Sequence, residues 1–351
     1  MATPVLIGLA VFLAAAAPAW AEPARDRLDR FREIAAVRLS VVEDMGGALD
    51  PASQAEVDAI LDGEVLDSLA AGGPFASIEF IRERLEAFGE AWGGAALRTE
   101  PLGGGLLVGR FRLSAKGVGN SVRVYGPVKG RPALLQAWQE DGVPEVYPWS
   151  ATAAGGAEFL VSWMGTPTGW GSSPLRLVLW RVRGGVMTAM WRSAERYPDG
   201  LWISHAEIKP GRVSLRHEVR YPGWKPGCDV QAEQEDRYRA TPGGGLVLVS
   251  RQLFNGWHRD LQRSATRFFS AIKTGDRKTV ADLAPDATVR ARLPAGLLPE
   301  AACDSQNPDT PGTAIVAAAA PLLDGRRQPW SLWWGLGPSG WRLTGAAPVL
   351  K

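Results

Sequence analysis

The first hundred residues show apolar positions repeated at helical spacing. This pattern runs from Pro23 to Met45, with Arg and Asp residues between the apolar ones, and predicts a helix. A capping box from Ser53 to Glu56 predicts the start of a second helix, because the Ser hydroxyl and the Glu carboxylate can satisfy its first free amides. Ser77 is placed to cap a third helix that ends at Gly93. Residues 22–100 are therefore predicted to form a helical N-terminal region.

From Gly103 the apolar residues change from helical spacing to alternation. Strand-like segments follow one another from Leu106 to Leu253, separated at short intervals by Gly, Pro and Asp. No helix of useful length is predicted between them, which argues against parallel strand–helix–strand units here. Residues 101–256 are predicted to form a large antiparallel β domain, arranged as a sandwich, a strongly curved sheet or a partial propeller.

Two Gly-containing turns predict strand registers inside this domain. Both suit two-residue hairpin turns, since Gly adopts positive φ without strain. The predicted opposite pairs are Lys209 and Arg212, Ser204 and His217, Val182 and Met187, and Val178 and Trp191. A slip by one residue would exchange the apolar and polar faces, so the pattern defines the register.

The rest of the chain combines helices with strands. Leu261, Phe268 and Ile272 share one stripe of a helix that ends at Gly275, and Asp276 can cap a short helix after it. Strand-like pieces follow at Ala287–Leu293, Thr313–Ala319, Trp330–Trp334 and Trp341–Thr344. Residues 257–351 are predicted to form a small C-terminal α+β domain, which places the whole chain in the α+β class.

Four features of residues 257–350 resemble the nuclear transport factor two family. They are the long helix, the short helix after Gly275-Asp276, the Leu-x-Pro-Asp turn at Leu283–Asp286, and the terminal Trp341-Arg342-Leu343 strand. The resemblance implies a cone-shaped α+β fold with a pocket. It implies no particular reaction, because that family includes both ligand-binding and catalytic members.

The N-terminus has the pattern of a secretory signal peptide. Residues 1–21 contain no charged residue, and the apolar run Leu6–Ala17 is shorter than the roughly 20 residues that span a bilayer. Small residues at Ala19 and Ala21 predict cleavage between Ala21 and Glu22. The absence of Lys and Arg before the apolar run departs from the usual pattern and leaves an uncleaved anchor as the alternative. We expect a secreted or periplasmic protein with no membrane span after cleavage.

The chain has 2 cysteines, Cys228 and Cys303. In an oxidising compartment such a pair tends to form a disulfide, here predicted to join the β domain to the C-terminal domain. Two buried free thiols are the alternative. Two cysteines and 3 histidines without metal-ligand spacing predict no metal site.

Tryptophan is abundant, with 15 residues against 5 Tyr and 10 Phe. Trp330 and Trp334 share one face of a predicted strand and, with Arg290 or Arg292, are predicted to line a pocket. Flat indoles pack against apolar groups and stack on sugar rings, so the expected occupant is a small apolar or weakly anionic ligand or an envelope glycan. The alternative is that these side chains fill the core of the domain.

His217 and Asp236 are the candidate catalytic residues. Alternation places Asp236 on the inward side of its strand, with His217 on the neighbouring strand. A His–Asp pair is half of an acid–base constellation. It is also an ordinary polar pair inside a β core, which is the favoured interpretation. No complete catalytic motif accompanies it, and we expect no cofactor.

Composition narrows the classes of function. A hydrophobic fraction of 46% and a charged fraction of 22% are ordinary for a globular protein, and 39 basic against 37 acidic residues gives no reason to expect nucleic acid. The favoured interpretation is an exported bacterial-type protein that acts as a non-catalytic binding or assembly module of the cell envelope or secreted space. The alternative is an exported, metal-independent, hydrolase-like enzyme with a carboxylate/His site.

Overall fold

A computed structural model describes residues 24–45, 49–115, 117–152, 156–169, 171–225, 228, 231–306, 312–322 and 325–349. The chain divides into two compact units, one ending at Leu97 and one beginning at Arg98. The second unit contains both the predicted β domain and the predicted C-terminal domain. The proposed cleavage site at Ala21 and Glu22 lies outside the described residues.

The described residues of the first unit contain three α-helices. They are α1 (Ala24–Met45), α2 (Pro51–Ala71) and α3 (Ile78–Ala91). Phe31 of α1 is fully buried, and its ring centroid lies 5.1 Å from those of both Phe88 and Trp92. Val57 and Leu61 of α2 are also fully buried. The predicted helical stripes therefore form the apolar core of this unit.

The start of α2 differs from the prediction at Ser53. The N-cap is Asp50, whose side chain accepts hydrogen bonds from the amides of Ala52 and Ser53, each at 3.0 Å. Pro51 occupies the first helical turn, where its fixed φ suits the helix and no amide donor is lost. The helix thus begins before the predicted capping box. At the third helix the prediction is confirmed, because the Ser77 hydroxyl accepts from the Phe80 amide at 3.2 Å.

Two antiparallel sheets follow. The first has the order β1-β2-β3-β4, with β1 (Ala96–Gly103), β2 (Leu106–Arg112), β3 (Ser121–Val128) and β4 (Arg131–Gln139). The second contains β5 (Val143–Thr152), β6 (Gly156–Met164), β7 (Ser173–Arg183), β8 (Val186–Arg192), β9 (Trp202–Lys209), β10 (Arg212–Glu218), β11 (Glu233–Ala240) and β12 (Leu246–Phe254). Its order is β12-β11-β10-β9-β7-β6-β5, and β8 pairs with β7 off this path. The sequence pattern did not reveal β1 or β5.

Apolar side chains from both sheets share one core cluster. Val108 and Val124 of the first sheet pack in the same cluster as Phe159 and Trp163 of the second. A separate cluster lies on strands β5 to β12 and includes Leu177, Leu215 and Tyr238. The predicted antiparallel meander is therefore held by two apolar clusters.

Bulges interrupt the predicted registers. Lys209 lies opposite Arg212 as predicted, but the register shifts after Arg216, so His217 faces Ile203 instead of Ser204. In the other hairpin Val182 lies opposite Met187 as predicted. A shift between Leu179 and Trp180 then places Trp191 opposite Leu179 instead of Val178. A bulge adds one residue to one strand, which turn geometry alone does not reveal.

The C-terminal region packs helices against a third sheet. The helices are α4 (Gly256–Thr274), α5 (Arg277–Leu283) and α6 (Ala287–Arg292). The 5-stranded sheet contains β13 (Leu298–Pro299), β14 (Ser305–Gln306), β15 (Thr313–Pro321), β16 (Arg327–Gly337) and β17 (Gly340–Pro348). The strand predicted at Ala287–Leu293 is wrong. Asp286 accepts from the Thr288 amide at 2.7 Å and so caps α6.

The predicted disulfide between Cys228 and Cys303 is present. It joins residues 75 positions apart, with a Cα–Cα distance of 5.3 Å, and links the segment after β10 to the segment between β13 and β14. Within the described part of the chain, no helix is long and apolar enough to cross a membrane.

The position of the α2 cap can be tested with two substitutions. Asp50→Ala should lower the thermal midpoint of the helical unit, because two amides of the first turn lose their acceptor. Ser53→Ala should lower it less. The midpoint can be followed by far-ultraviolet circular dichroism, and a larger loss in Ser53→Ala would contradict the assignment of Asp50 as the cap.

Candidate functional site

Asp236 is a fully buried carboxylate on the inner face of β11. Its Oδ1 accepts from Arg251 Nε at 2.8 Å and from Gln234 Nε2 at 3.0 Å. Its Oδ2 accepts from Arg251 Nη2 at 2.8 Å and from the Tyr197 hydroxyl at 2.8 Å. Each oxygen thus accepts two hydrogen bonds, which satisfies a buried carboxylate.

These bonds hold Asp236 in its charged form. Burial alone would raise the pKa of the carboxyl, but contacts with His217, Arg251 and Tyr197 outweigh it and hold that pKa well below its usual range. Burial, followed by the bond to Tyr238, raises the pKa of the Tyr197 hydroxyl far above its usual value. Asp236 therefore remains a carboxylate and Tyr197 a proton donor throughout the physiological range.

His217 lies beside Asp236, as its position in the sequence predicts. Its Nε2 is 3.6 Å from Asp236 Oδ2 and 3.4 Å from Gln234 Nε2. Its Nδ1 is 3.1 Å from the Glu218 carbonyl oxygen, which can only accept, so Nδ1 carries a proton in this contact. Both ring nitrogens face protein groups. The arrangement serves to satisfy buried polar atoms and leaves no ring nitrogen directed at a substrate.

A second polar cluster surrounds Asp304, next to the disulfide. Its Oδ1 lies 3.2 Å from Lys225 Nζ, and its Oδ2 accepts a hydrogen bond from Gln262. His258 Nδ1 is 3.8 Å from the same Oδ2. The sequence contained a signal for part of this cluster, because a bridge from Cys228 to Cys303 brings their neighbours Lys225 and Asp304 together.

Burial alters the titration of two members of this cluster. It lowers the pKa of the His258 imidazole, and Lys225 adds to this, while Asp304 opposes it. Burial and the nearby Asp304 carboxylate raise the pKa of Tyr221 to about 12. The Tyr221 hydroxyl is buried and has no hydrogen-bond partner among the residues that the structure describes. This cluster links the segment after β10 to α4 and to the segment between β13 and β14.

The structure separates the residues predicted to line a C-terminal pocket. Trp334 is fully buried and meets Phe268 edge-to-face at 5.7 Å, and Trp330 is also buried. Arg290 donates through Nη1 to the Ala284 and Pro285 carbonyls at 2.6 and 2.7 Å, whereas Arg292 is exposed on α6. The two indoles belong to the same core cluster as Leu261, Phe268 and Phe269 of α4.

A shallow depression does occur in this region, away from both indoles. It has a volume of about 360 Å³, and its lining comes from α4, α5, α6 and the segment after α6. The lining residues include Ile272, Val280, Leu293, Arg277 and Arg290. Of the four residues predicted to line a pocket, only Arg290 reaches this depression.

Strand β12 forms an exposed boundary of the second sheet. One side of it pairs with β11, and no other strand of the described chain pairs with its outer side. Four aliphatic residues on it are exposed: Val247 (46%), Leu248 (40%), Val249 (52%) and Leu253 (38%). Val247 lies opposite Arg239 and Leu248 opposite Tyr238, so both faces of the strand carry apolar surface. We refer to Leu246–Phe254 as the β12 edge.

Comparisons with known proteins add no assignment. No family profile matches the chain, and no curated protein or solved structure is significantly similar to it. The resemblance of residues 257–350 to the nuclear transport factor two family therefore stays a prediction. Among the side chains that the structure describes, no group of three or more His, Cys, Asp or Glu residues could hold a metal ion.

The burial of Trp334 predicts a large cost for its truncation. Trp334→Ala should lower the free energy of unfolding by about 3–5 kcal/mol, because it leaves a cavity in a packed core. Trp333 on the same strand is 39% exposed, so Trp333→Ala is the matched control and should cost much less. Urea unfolding of both variants measures the difference, and equal losses would contradict this description of the core.

The Asp236 network predicts a specific acid dependence. The folded-state pKa of Asp236 lies below its unfolded value of about 3.9, so the stabilisation it provides is present above pH 4 and is lost as the pH falls further. Asp236→Asn should cost about 1–3 kcal/mol at pH 7 and less at pH 3. Asp199→Asn, at an exposed turn, is the control. Urea unfolding at both pH values tests this, and an unchanged difference between the proteins would contradict it.

Proposed function

We propose that the chain is an exported, non-catalytic binding or assembly module that takes up an extended segment of another protein along the β12 edge. The observation that carries this proposal is the exposure of Val247, Leu248, Val249 and Leu253 on a terminal strand. Such an edge offers unpaired backbone donors and acceptors. An added strand uses these for affinity and its alternating side chains for specificity.

The disulfide supports the export part of the proposal. Disulfides persist in oxidising compartments and are rare in the cytosol of most organisms, so Cys228–Cys303 agrees with a periplasmic or secreted location. A signal peptide over residues 1–21, cleaved before Glu22, would supply the route. The proposed setting is the cell envelope or the secreted space.

Charge favours another protein over a second copy of this chain. Arg237, Arg239 and Arg251 lie on β11 and β12, close to the edge. The β12 of a second copy contains Arg251 and no acidic residue, so it offers no carboxylate to neutralise Arg239. A segment of different composition can supply one.

The enzymatic alternative has less support. A hydrolase without a metal needs an acid or base that can reach a substrate, and the oxygens of Asp236 and both ring nitrogens of His217 face protein groups. A small apolar or weakly anionic ligand is the second candidate occupant. The depression beside Arg290 favours such a ligand over a glycan, because its lining includes the aliphatic residues Ile272, Val280 and Leu293.

Strand addition can be tested by hydrogen exchange. The probe is a capped peptide of about eight residues with alternating Val and Thr, the usual length of a strand. In the wild-type protein it should slow amide exchange over residues 246–254. The double variant Val247→Lys, Val249→Lys places charges on the edge and should remove this protection.

The control is Val186→Lys, because Val186 is an equally small apolar residue on β8 with 66% exposure. This variant should keep the protection. Absence of protection in the wild-type protein, or its survival in the double variant, would contradict the proposal. Sedimentation of the protein alone gives a further check, since dimerisation abolished by the double variant would assign the edge to a second copy instead.

A further inference from the structure

We infer that the segment bound at the β12 edge carries acidic side chains, recognised by a row of cations on the adjoining strands. This inference rests on the proposed function. Arg212 of β10 lies directly opposite Lys209 of β9 on one side and Arg239 of β11 on the other. Arg239 lies opposite Val247 of β12, so the row runs across the sheet to the edge.

The positive charge of this row is only partly neutralised. Lys209 forms an ion pair with Glu207, and Arg237 in the next row donates to Glu235 at 2.7 Å. Arg212 and Arg239 form no ion pair within the described residues, and both are exposed. Directly opposite residues on neighbouring strands have Cβ atoms about 4.5–5.5 Å apart, where like charges are destabilising. An incoming carboxylate would remove this repulsion.

The same cations border a depression that reaches the edge strand. It has a volume of about 510 Å³, and Lys209, Arg212, Arg237, Arg239, Glu207 and Glu235 contribute to its lining. Val249 of β12 also lines it. The depression thus connects the uncompensated arginines with the exposed aliphatic residues, and the bulge at Arg237/Tyr238 lies between them.

These features define the chemistry of the bound segment. A strand added to β12 lies about 4.8 Å beyond it. The side chains of the added strand that share a face with Val247 and Val249 therefore lie beside these two residues. A Glu or Asp next to Val247 can extend across this small side chain towards Arg239, whose guanidinium can lean to meet it. Aliphatic residues at other positions would cover Leu248 and Leu253 on the opposite face. The expected partner is an extended segment in which acidic and aliphatic residues alternate.

Three capped peptides test this specificity. Each alternates Val with one other residue, which is Glu, Gln or Lys. Binding is measured by fluorescence anisotropy at low and physiological salt. The Glu peptide should bind about fivefold more tightly than the Gln peptide, as expected from one or two exposed ion pairs, and the Lys peptide should bind most weakly. Higher salt should reduce the difference between peptides.

A double variant and a control variant separate the contribution of the cation row to peptide binding from that of the β12 edge. Arg212→Gln with Arg239→Gln should abolish the preference for Glu while retaining binding of the Gln peptide. It should not lower the thermal midpoint, because it removes a like-charge contact. The control is Arg183→Gln, an exposed arginine at the end of β7, which should keep the preference.

The outcomes distinguish the two proposals. If no peptide binds the wild-type protein, strand addition at the β12 edge is wrong. If all three bind equally and Val247→Lys with Val249→Lys removes binding, the edge function stands and the acidic specificity is overturned. A preference for Glu that survives in Arg212→Gln with Arg239→Gln likewise overturns the role of the row.

Discussion

The bidentate ion pair between Asp236 and Arg251 adds a buried side-chain link to the backbone pairing that joins β12, the last strand of the large sheet, to β11. β12 has few buried side chains, because both of its faces are largely exposed after Leu246. Apolar burial therefore contributes little to its docking, and the paired charges have a correspondingly larger role. Arg251 comes from β12, while Asp236 is fixed on β11 by Tyr197 and Gln234. The polar contacts of Asp236 therefore help to hold β12 in the sheet while its aliphatic side chains remain exposed.

The edge combines two features that do not stabilise an isolated chain. Exposed aliphatic residues on a terminal strand favour association, and natural sheets usually protect such edges with charges or proline. Here Arg212 of β10 lies directly opposite Arg239 of β11, which is a like-charge pair close to the edge. Both features become favourable together when a segment with apolar and acidic side chains lies along the strand. Their coincidence at one place is what the proposed function explains.

Much of the fold could be predicted from the sequence, because hydrophobic periodicity reports local structure. The helical region, most strands of the meander and the disulfide follow from spacing and residue type. The failures have local physical causes. Asp50 with Pro51 outcompetes the capping box at Ser53, and Asp286 caps a helix where alternation suggested a strand. Bulges after Arg216 and between Leu179 and Trp180 shift registers, since they depend on twist and packing across several strands.

The candidate site was only partly within reach of sequence reasoning. The contact between His217 and Asp236 could be predicted because neighbouring strands and a common face bring them together. The role of this contact depends on Arg251 and Tyr197. These two residues are distant from Asp236 along the chain, so the sequence did not indicate that they bind it. The β12 edge was hidden for a different reason. The run Leu246–Val249 is continuously apolar, which is typical of a buried strand. Only the strand order shows that no second strand of the described chain pairs with it.

The disulfide gives the edge a second restraint. The 75-residue separation between Cys228 and Cys303 includes β11, β12 and α4, so the edge strand lies within the covalent loop. In the chain-entropy model, closing a loop of this length stabilises the folded state by roughly 4–5 kcal/mol, provided the native geometry is unstrained. Lys225 and Gln262 reinforce the closure by binding Asp304 beside the bridge. Such a closure would not help an apolar strand whose regulation required it to detach from the sheet. A strand that must stay extended and available to a partner in an oxidising compartment gains persistence from it.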